Sequence, residues 1–330
     1  MSKPKVFVTV NLDDQLIARL AEVCTVSRYT GEGRCPADLM EKEIADADAV
    51  VGYYKPSSAE LMDKAPRLRV LATSSVGFDH VDVAAATERG IVVTNTPDVL
   101  TDTTADLAFS LLMATARRIA ECDRFIRSGQ WREPSVPPNL FGMDVHHATL
   151  GIVGMGRIGA AVAERGQGGF HMKILYNDFV RHEDLEKQRG YRFVDLDTLL
   201  AESDFVSLHV PLLPETTKMI GAAQLAKMKR TACLINAARG PIVDEKALVA
   251  ALREGQIAGA GLDVFEKEPV DPNSPLLKLD NVVMAPHVGS ATNATRRAMA
   301  SLAVDNALAV LQGKPPVTPV NPEVLSKLRK

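Results

Sequence analysis

Cysteine, aromatic residues and long apolar runs are all scarce in this sequence. Its 330 residues include four cysteines, one tryptophan and only 5% aromatic residues. No apolar run approaches the roughly 18 residues that a membrane helix needs, so we expect no membrane partner. The cysteines show no paired spacing, which argues against a disulfide framework or a cysteine metal site and predicts reduced thiols in a cytoplasmic protein. They are Cys24, Cys35, Cys122 and Cys233.

A strong excess of one charge is also lacking. The chain has 38 Lys and Arg residues against 41 Asp and Glu residues, and the basic residues are scattered. A protein that binds nucleic acid usually carries a basic stripe along the phosphates, so we expect no nucleic-acid partner. The length and the 46% of apolar residues instead predict a globular protein of two domains.

Apolar β-type runs alternate with helical patterns along most of the chain. The alternation fills the first hundred residues, resumes at Leu150 and ends in a predicted helix from Asn293 to Gln312. Such βαβ alternation predicts an α/β protein with doubly wound parallel sheets. The candidate strands of the first hundred residues are Lys5 to Val10, Thr25 to Tyr29, Ala49 to Tyr54, Leu68 to Ser74 and Ile91 to Asn95.

Two segments between these alternating halves break the pattern. The helical run from about Thr101 to Ser128, closed by Gly129, predicts a single long helix. The proline-rich segment from Gln130 to Val145 predicts an extended arm. An apolar helical face beside such an arm would be exposed in a monomer, so we expect a homodimer.

The stretch from Leu150 to Asp178 carries a glycine motif between two predicted strands. A short apolar strand leads into Gly154-x-Gly156-x-x-Gly159, and an amphipathic helix follows. In dinucleotide-binding βαβ units the first glycine permits a tight turn, and the second lets the backbone approach a pyrophosphate. The third lets helix and strand pack closely. The stretch therefore predicts a dinucleotide site, with the phosphates at the helix N-terminus.

Three residues that suit keto-acid chemistry follow predicted strands downstream of this motif. Arg239 offers a planar cation that can hold a carboxylate and polarise a ketone. His287 is a residue type that donates a proton near neutral pH, and a carboxylate such as Glu268 beside it would favour the imidazolium. Because parallel strands present their carboxyl ends at one edge, we expect the three to share a site.

Taken in order, these motifs resemble those of the D-isomer-specific 2-hydroxyacid dehydrogenases. The resemblance rests on the glycine motif, segments 236–241, 262–269 and 286–290, and segments 75–82 and 94–97 nearer the N-terminus. Within the family the chain is most similar to the glyoxylate/hydroxypyruvate and 2-ketogluconate reductases. Glu268 separates it from formate dehydrogenases, which have Gln at that position.

The resemblance implies a fold, a domain division and a set of site residues. The fold would pair a flavodoxin-like substrate domain, residues 1–100 plus 296–330, with a Rossmann cofactor domain, residues 101–295. Arg239, Glu268 and His287 would be catalytic, and Val76, Gly77, Lys55 and Arg239 would bind substrate. The implied cofactor contacts are Thr104, Gly154, Gly156, Arg157, Ile158, Gly159, Asn177, Asp178, Val210, Ala237, Ala238, Asp263, His287 and Gly289.

Two positions depart from the family pattern. NAD-specific members place an acidic residue at the end of the second strand, where it binds the ribose hydroxyls and repels a 2′-phosphate. Asn177 stands there, with Arg181 close behind, so we favour NADP(H) slightly over NAD(H), although Asp178 is able to restore the repulsion. Related reductases also present a tryptophan from the partner's arm, and the matching residue is Leu140, which suggests an altered pocket.

The resemblance implies an NAD(P)H-dependent oxidoreductase that needs no metal. It would transfer hydride to a small 2-keto acid such as glyoxylate, hydroxypyruvate or 2-ketogluconate and release the D-2-hydroxy acid. The alternative is a dinucleotide-sensing protein of the corepressor type, which shares the fold and the Arg, Glu and His. Such proteins usually carry long disordered extensions.

Overall fold

The computed structural model describes residues 3–52 and 57–327, and the chain forms two compact units. One unit comprises Met1–Leu100 with Ser290–Lys330, and the other comprises Thr101–Gly289. Each is built on one parallel sheet, which confirms the predicted α/β class. None of the helices in the described residues is both long enough and apolar enough to cross a membrane.

The first unit has a five-stranded parallel sheet with the strand order β2-β1-β3-β4-β5. This is the flavodoxin-like order, as the resemblance implied. Its strands are β1 (Lys5–Val8), β2 (Thr25–Arg28), β3 (Ala49–Gly52), β4 (Val70–Thr73) and β5 (Val92–Thr94). Its first helices are α1 (Asp14–Val23), α2 (Ala37–Ile44), α3 (Ala59–Asp63) and α4 (Val83–Glu88).

Both faces of this sheet are buried, which explains why its strands are continuous apolar runs. Side chains alternate between the two faces of a strand. In β1, Val6 and Val8 belong to the same apolar cluster as Leu20 of α1, whereas Phe7 belongs to the cluster on the opposite face with Ile44 of α2. All five side chains are less than 2% exposed, so the two helical layers enclose the sheet.

The second unit has a seven-stranded parallel sheet with the order β12-β11-β10-β9-β6-β7-β8. The first six strands of this unit follow the Rossmann order, and β12 extends the sheet. Its strands are β6 (Thr149–Val153), β7 (Lys173–Asn177), β8 (Arg192–Phe193), β9 (Phe205–Leu208), β10 (Cys233–Asn236), β11 (Gly259–Leu262) and β12 (Val282–Met284). Its helices are α5 (Thr101–Ala116), α6 (Ile119–Arg127), α7 (Arg157–Phe170), α8 (Glu183–Arg189), α9 (Leu196–Glu202), α10 (Ala222–Leu225) and α11 (Glu245–Arg253). The chain then returns to the first unit as α12 (Asn293–Leu311).

The prediction of a single long helix from Thr101 to Ser128 was wrong. The helix ends at Ala116, and a new helix, α6, starts at Ile119 after Arg118 adopts a left-handed conformation with φ of 53°. A contact from later in the chain satisfies the end of the first helix. The backbone N–H of Met143 donates to the carbonyl oxygen of Ala116 at 2.8 Å, so that carbonyl is turned to a partner outside the helix.

Candidate active site

The three positions of the motif call for glycine for different structural reasons. Gly154 has φ of 94°, and a Cβ there would lie 2.8 Å from the backbone nitrogen of Val210. A Cβ on Gly159 would collide with the carbonyl oxygen of Gly154. Gly156 is different, because apart from its two chain neighbours no described atom lies within 4 Å of its Cβ position. The fold itself requires two of the glycines, and the third leaves open the space that a pyrophosphate would need.

The helix behind this turn suits an anion. Its 14 residues begin at Arg157, and its N-cap is Gly156, which has no side chain to accept from the first N–H groups. The first N–H groups of a helix lack acceptors within it and lie at the positive end of the helix dipole. Arg157 and Ile158 supply two of these donors. Together with the open space at Gly156, the turn fits the phosphates of a dinucleotide.

The end of β7 carries the side chains that would meet an adenosine ribose. The amide Nδ2 of Asn177 donates to the carbonyl oxygen of Val194 at 2.9 Å, so this side chain is engaged with its own sheet. Asp178 accepts the N–H of Met155 at 2.6 Å on Oδ2 and the N–H of Val180 at 3.2 Å on Oδ1. The carboxylate of Asp178 therefore lies directly against the glycine turn.

Arg239 follows β10 in a turn that Asn236 organises. Asn236 donates from Nδ2 to the Arg239 carbonyl at 2.9 Å and accepts the Ala238 N–H on Oδ1 at 3.1 Å. The guanidinium Nη1 of Arg239 donates to the Ala238 carbonyl at 2.7 Å. Asn236 was missed as a site residue, although an Asn at a strand end before Ala-Ala-Arg-Gly is a recognisable signal for such a turn.

Gly240 presses the Arg239 turn against the segment that carries Glu268. A Cβ on Gly240 would collide with the carbonyl group of Phe265, so only glycine allows this approach. The N–H of Phe265 in turn donates to Oε1 of Glu268 at 3.2 Å. The arginine turn and the glutamate are therefore positioned through one shared stretch of backbone.

Glu268 and His287 form the pair that the sequence predicted. Nδ1 of His287 lies 2.8 Å from Oε2 of Glu268. The carboxylate accepts the Nδ1 proton, which places the other ring nitrogen, Nε2, on the side away from Glu268. The His287 side chain is 47% exposed against 25% for Glu268, so the histidine is the partner that a substrate can reach.

Asp263 holds the backbone around His287. Its carbonyl accepts the His287 N–H at 2.8 Å, and its two carboxylate oxygens accept the N–H groups of Val288 and Gly289, each at 2.8 Å. His287 has φ of 56°, a strained conformation for a residue other than glycine, and these bonds offset the cost. Asp263 is only 1% exposed, and burial raises the pKa of its carboxyl despite the two N–H donors.

The remaining cofactor positions lie in the same unit. Val210 follows β9 and is buried beside the glycine turn, and Ala237 and Ala238 follow β10 and are half-buried. Thr104 lies in the first turn of α5, where its Cγ2 atom is 3.4 Å from the Cβ position of Gly289. Their contacts with a cofactor stay predictions.

Two of the predicted substrate residues, Val76 and Gly77, lie in the loop after β4 of the first unit. The Val76 carbonyl accepts from Nδ2 of Asn95 at 2.8 Å, and the Gly77 carbonyl accepts from Oγ of Ser75 at 2.7 Å. These bonds fix the peptide planes of the loop, which suits a loop that presents N–H donors. Lys55 lies outside the described residues. The roles of all three stay predictions.

The arm position Leu140 is buried in the short 3-10 helix Pro138–Leu140, with 7% of its surface exposed. The exposed aromatic side chains of the arm are those of Trp131 and Phe141. Among residues 3–52 and 57–327, no group of three or more His, Cys, Asp or Glu side chains lies in an arrangement that could hold a metal ion.

Comparison with known proteins agrees with this geometry. Residues 109–289 match the family model of the D-isomer specific 2-hydroxyacid dehydrogenase NAD binding domain. The chain is 52% identical to the glyoxylate reductase of Korarchaeum cryptofilum, over 98% of this chain and 97% of that protein. It is 49% identical to glyoxylate/hydroxypyruvate reductase B of Escherichia coli strain SMS-3-5, over 98% and 99% of the two chains.

A solved structure gives the same result. The NADPH-dependent glyoxylate/hydroxypyruvate reductase of Sinorhizobium meliloti, in complex with NADP and malonate, is 37% identical to this chain. It superimposes with a TM-score of 0.87 and covers 100% of this chain and 99% of its own. The matched sequence, the two sheets and the His287–Glu268 pair lead to one conclusion: the chain belongs to the D-isomer specific 2-hydroxyacid dehydrogenase family and is an oxidoreductase.

Proposed function

We propose that this protein reduces small 2-keto acids to D-2-hydroxy acids, with glyoxylate and hydroxypyruvate as its main substrates and 2-ketogluconate as a further candidate. The observation that carries the proposal is the His287–Glu268 hydrogen bond of 2.8 Å beside the Arg239 turn. The names of the relatives from Korarchaeum cryptofilum and Escherichia coli support the substrate class. The same names give no support to a dinucleotide sensor.

Arg239 orients the substrate in this proposal. A 2-keto acid presents a carboxylate and an adjacent ketone oxygen, and a guanidinium offers five N–H donors in a plane that matches such paired oxygens. The hydrogen bonds of Asn236 and the close approach of Gly240 position the Arg239 backbone before any substrate binds. Lysine at this position would keep the charge and lose the planar pair of donors.

His287 supplies the proton. When bound, the reduced nicotinamide supplies the hydride, and negative charge then develops on the former ketone oxygen. Nε2 of His287 donates a proton to that oxygen as the charge develops, while Glu268 holds the Nδ1 proton and balances the positive ring. Asp263 keeps the ring in place through the backbone on either side of it.

The direct test is steady-state kinetics at 340 nm with NADH and NADPH against glyoxylate, hydroxypyruvate and 2-ketogluconate. We expect His287→Ala to lower kcat/KM by about 10²–10⁴-fold, the usual contribution of a positioned acid. His146→Ala, at an exposed histidine before β6, is the matched control and should leave turnover unchanged. If His287→Ala retained wild-type turnover, the proton donor would be misassigned; cofactor binding without reduction of any keto acid would favour the sensor.

We further propose that the protein is a homodimer formed through α6 and the arm. No residue of α6 is fully buried, and apolar side chains there and in the arm are exposed. Several exposed apolar side chains in neighbouring segments of a globular protein usually belong to an interface. The exposed residues are Ile119, Ile126, Trp131, Val136 and Phe141.

A cytoplasmic location is proposed from the cysteines. All four are free thiols, two of them buried. Burial raises the pKa of Cys24 to about 11 and that of Cys233 to about 12, so both stay protonated and poorly reactive. Free thiols are typical of reducing compartments.

A further inference from the structure

Arg181, four residues beyond β7, is held in a network of side chains. Its Nε and Nη2 atoms donate to the two carboxylate oxygens of Glu186, both at 2.8 Å. Glu186 also accepts the hydroxyl of Tyr176 at 2.9 Å, and the guanidinium carbon lies 5.8 Å from the ring centroid of Phe193. The guanidinium is thus engaged on both its donor edge and its face.

This network stays intact across the working pH range. The two-pronged hydrogen bond from Arg181 lowers the pKa of Glu186 to about 2. The hydroxyl of Tyr176 is itself fixed, because it accepts the N–H of His182 at 2.8 Å. The Glu186 side chain is 19% exposed, whereas that of Arg181 is 57% exposed, so the acid is the more enclosed partner.

Arg181 stands where Rossmann domains that bind NADP place an arginine, close to the end of the second strand, to accept the 2′-phosphate. In Rossmann domains an acid at the end of the second strand binds the ribose hydroxyls of NAD, whereas an arginine nearby accommodates the phosphate of NADP. Between Asp178 and Arg181 stand only Phe179 and Val180, which are 79% and 61% exposed and carry no charge. Arg181 is therefore the arginine that this turn, residues 178–181, offers to a phosphate, and its guanidinium is hydrogen-bonded to Glu186.

Asp178 adds a negative charge to the same place. Each of its carboxylate oxygens accepts one backbone N–H, from Met155 and Val180. A carboxylate has about four acceptor sites, so capacity remains for ribose hydroxyls. A 2′-phosphate brought to this turn would meet the carboxylate of Asp178 and an arginine already paired with Glu186.

We propose that Glu186 is a positioning residue for cofactor choice: by holding Arg181 against Tyr176 and Phe193, it withholds that cation from a 2′-phosphate, and with Asp178 it sets a preference for NAD(H) over NADP(H). The inference rests on the proposed function only in placing the adenosine ribose beyond β7. It reverses the slight preference for NADP(H) that Asn177 suggested, because the sequence does not show that Arg181 is engaged.

The test is calorimetric titration of the full-length protein with NAD⁺ and NADP⁺, without keto acid. We expect wild type to bind NAD⁺ more tightly. Glu186→Gln, which keeps the shape but loses the charge, should strengthen NADP⁺ binding about tenfold, the worth of a charged hydrogen bond, and leave NAD⁺ unchanged. Adding Arg181→Ala to that variant should abolish the gain.

Two comparisons make the outcome decisive. Glu202→Gln removes a charge from α9 at a residue that pairs with Arg192, and it should leave both affinities unchanged. Arg181→Ala alone should leave NADP⁺ binding unchanged as well. The proposal would be overturned if wild type bound NADP⁺ more tightly than NAD⁺. It would also be overturned if Arg181→Ala lowered NADP⁺ affinity by the same factor in wild type and in the Glu186→Gln variant. Normal NAD⁺ binding without keto-acid turnover would contradict the proposed function alone.

Discussion

At the residue scale, single side chains act here mainly by fixing backbone. Asp263 uses its two carboxylate oxygens on the N–H groups after His287, and Asn236 uses its amide on the turn before Arg239. Both residues would shape the site through the backbone without contacting a substrate. The exposed His287 and the turn of Arg239 are placed by buried neighbours, which is how a site keeps its geometry without a substrate.

His209 links burial to pH. Its Nε2 atom lies 2.8 Å from the hydroxyl of Ser207, and desolvation lowers the pKa of His209 to about 4 from 6.5. As the pH falls below 6.5, the imidazole of His209 is protonated in the unfolded chain, whereas in the folded protein it stays neutral until about pH 4. Stability present above pH 6.5 is therefore lost on acidification, by an amount on the order of 3 kcal/mol.

We expect His209→Gln, which keeps a hydrogen-bonding group near Ser207, to weaken this acid dependence. The melting temperature of wild type should fall more steeply than that of the variant between pH 6.5 and pH 4.5, as followed by circular dichroism. His182→Gln, at the N-cap position of α8, where the side chain makes no capping hydrogen bond, serves as the comparison and should follow wild type. Parallel curves for wild type and His209→Gln would show that burial of His209 does not govern acid stability.

At the element scale, α7 combines a functional start with a weak end. Its first turn faces the open space at Gly156, and its last turns contain Gly166, Gly168 and Gly169. A Cβ on Gly166 would lie 2.9 Å from Cδ2 of Leu150, so this glycine allows close packing on β6. Apart from their chain neighbours and the backbone of α7 itself, no described atom lies within 4 Å of the Cβ positions of Gly168 and Gly169, so these two only add freedom to the unfolded chain.

Gly168→Ala should therefore stabilise the protein by about 0.5–1 kcal/mol, because alanine restricts the unfolded chain and fits the helix. The measurement is the melting temperature, which should rise. Gly159→Ala in the same helix is the opposite case and should destabilise, since its Cβ would collide with the Gly154 carbonyl. A fall in melting temperature for Gly168→Ala would mean that the end of α7 needs glycine for a reason that its packing does not show.

At the scale of the whole molecule, the exposed apolar side chains of α6 and the arm predict association. We expect light scattering after gel filtration to give twice the chain mass at micromolar concentration, and Ile126→Glu to give a monomer. Val317→Glu changes another exposed apolar residue, 64% exposed, outside α6 and should remain dimeric. A wild-type monomer under these conditions would refute the homodimer.

The sequence by itself determined the local part of this protein. Apolar runs gave the parallel strands, the spacing of Gly154, Gly156 and Gly159 marked the dinucleotide turn, and strand ends marked Arg239 and His287. These features depend on neighbours within a few residues or on the rule that parallel strands end at one edge, so no distant partner is needed to predict them.

Tertiary structure decided what depends on distant partners. The helix α5 ends at Ala116, where Met143, far along the chain, donates to its last carbonyl. Asp263 supports His287 because β11 and β12 lie side by side. Arg181 is engaged because Glu186 and Phe193 contact it and Tyr176 binds Glu186, and these residues come from one helix and two strands. A hydrogen bond goes to whichever partner folding brings within about 3 Å, and sequence spacing does not reveal that partner.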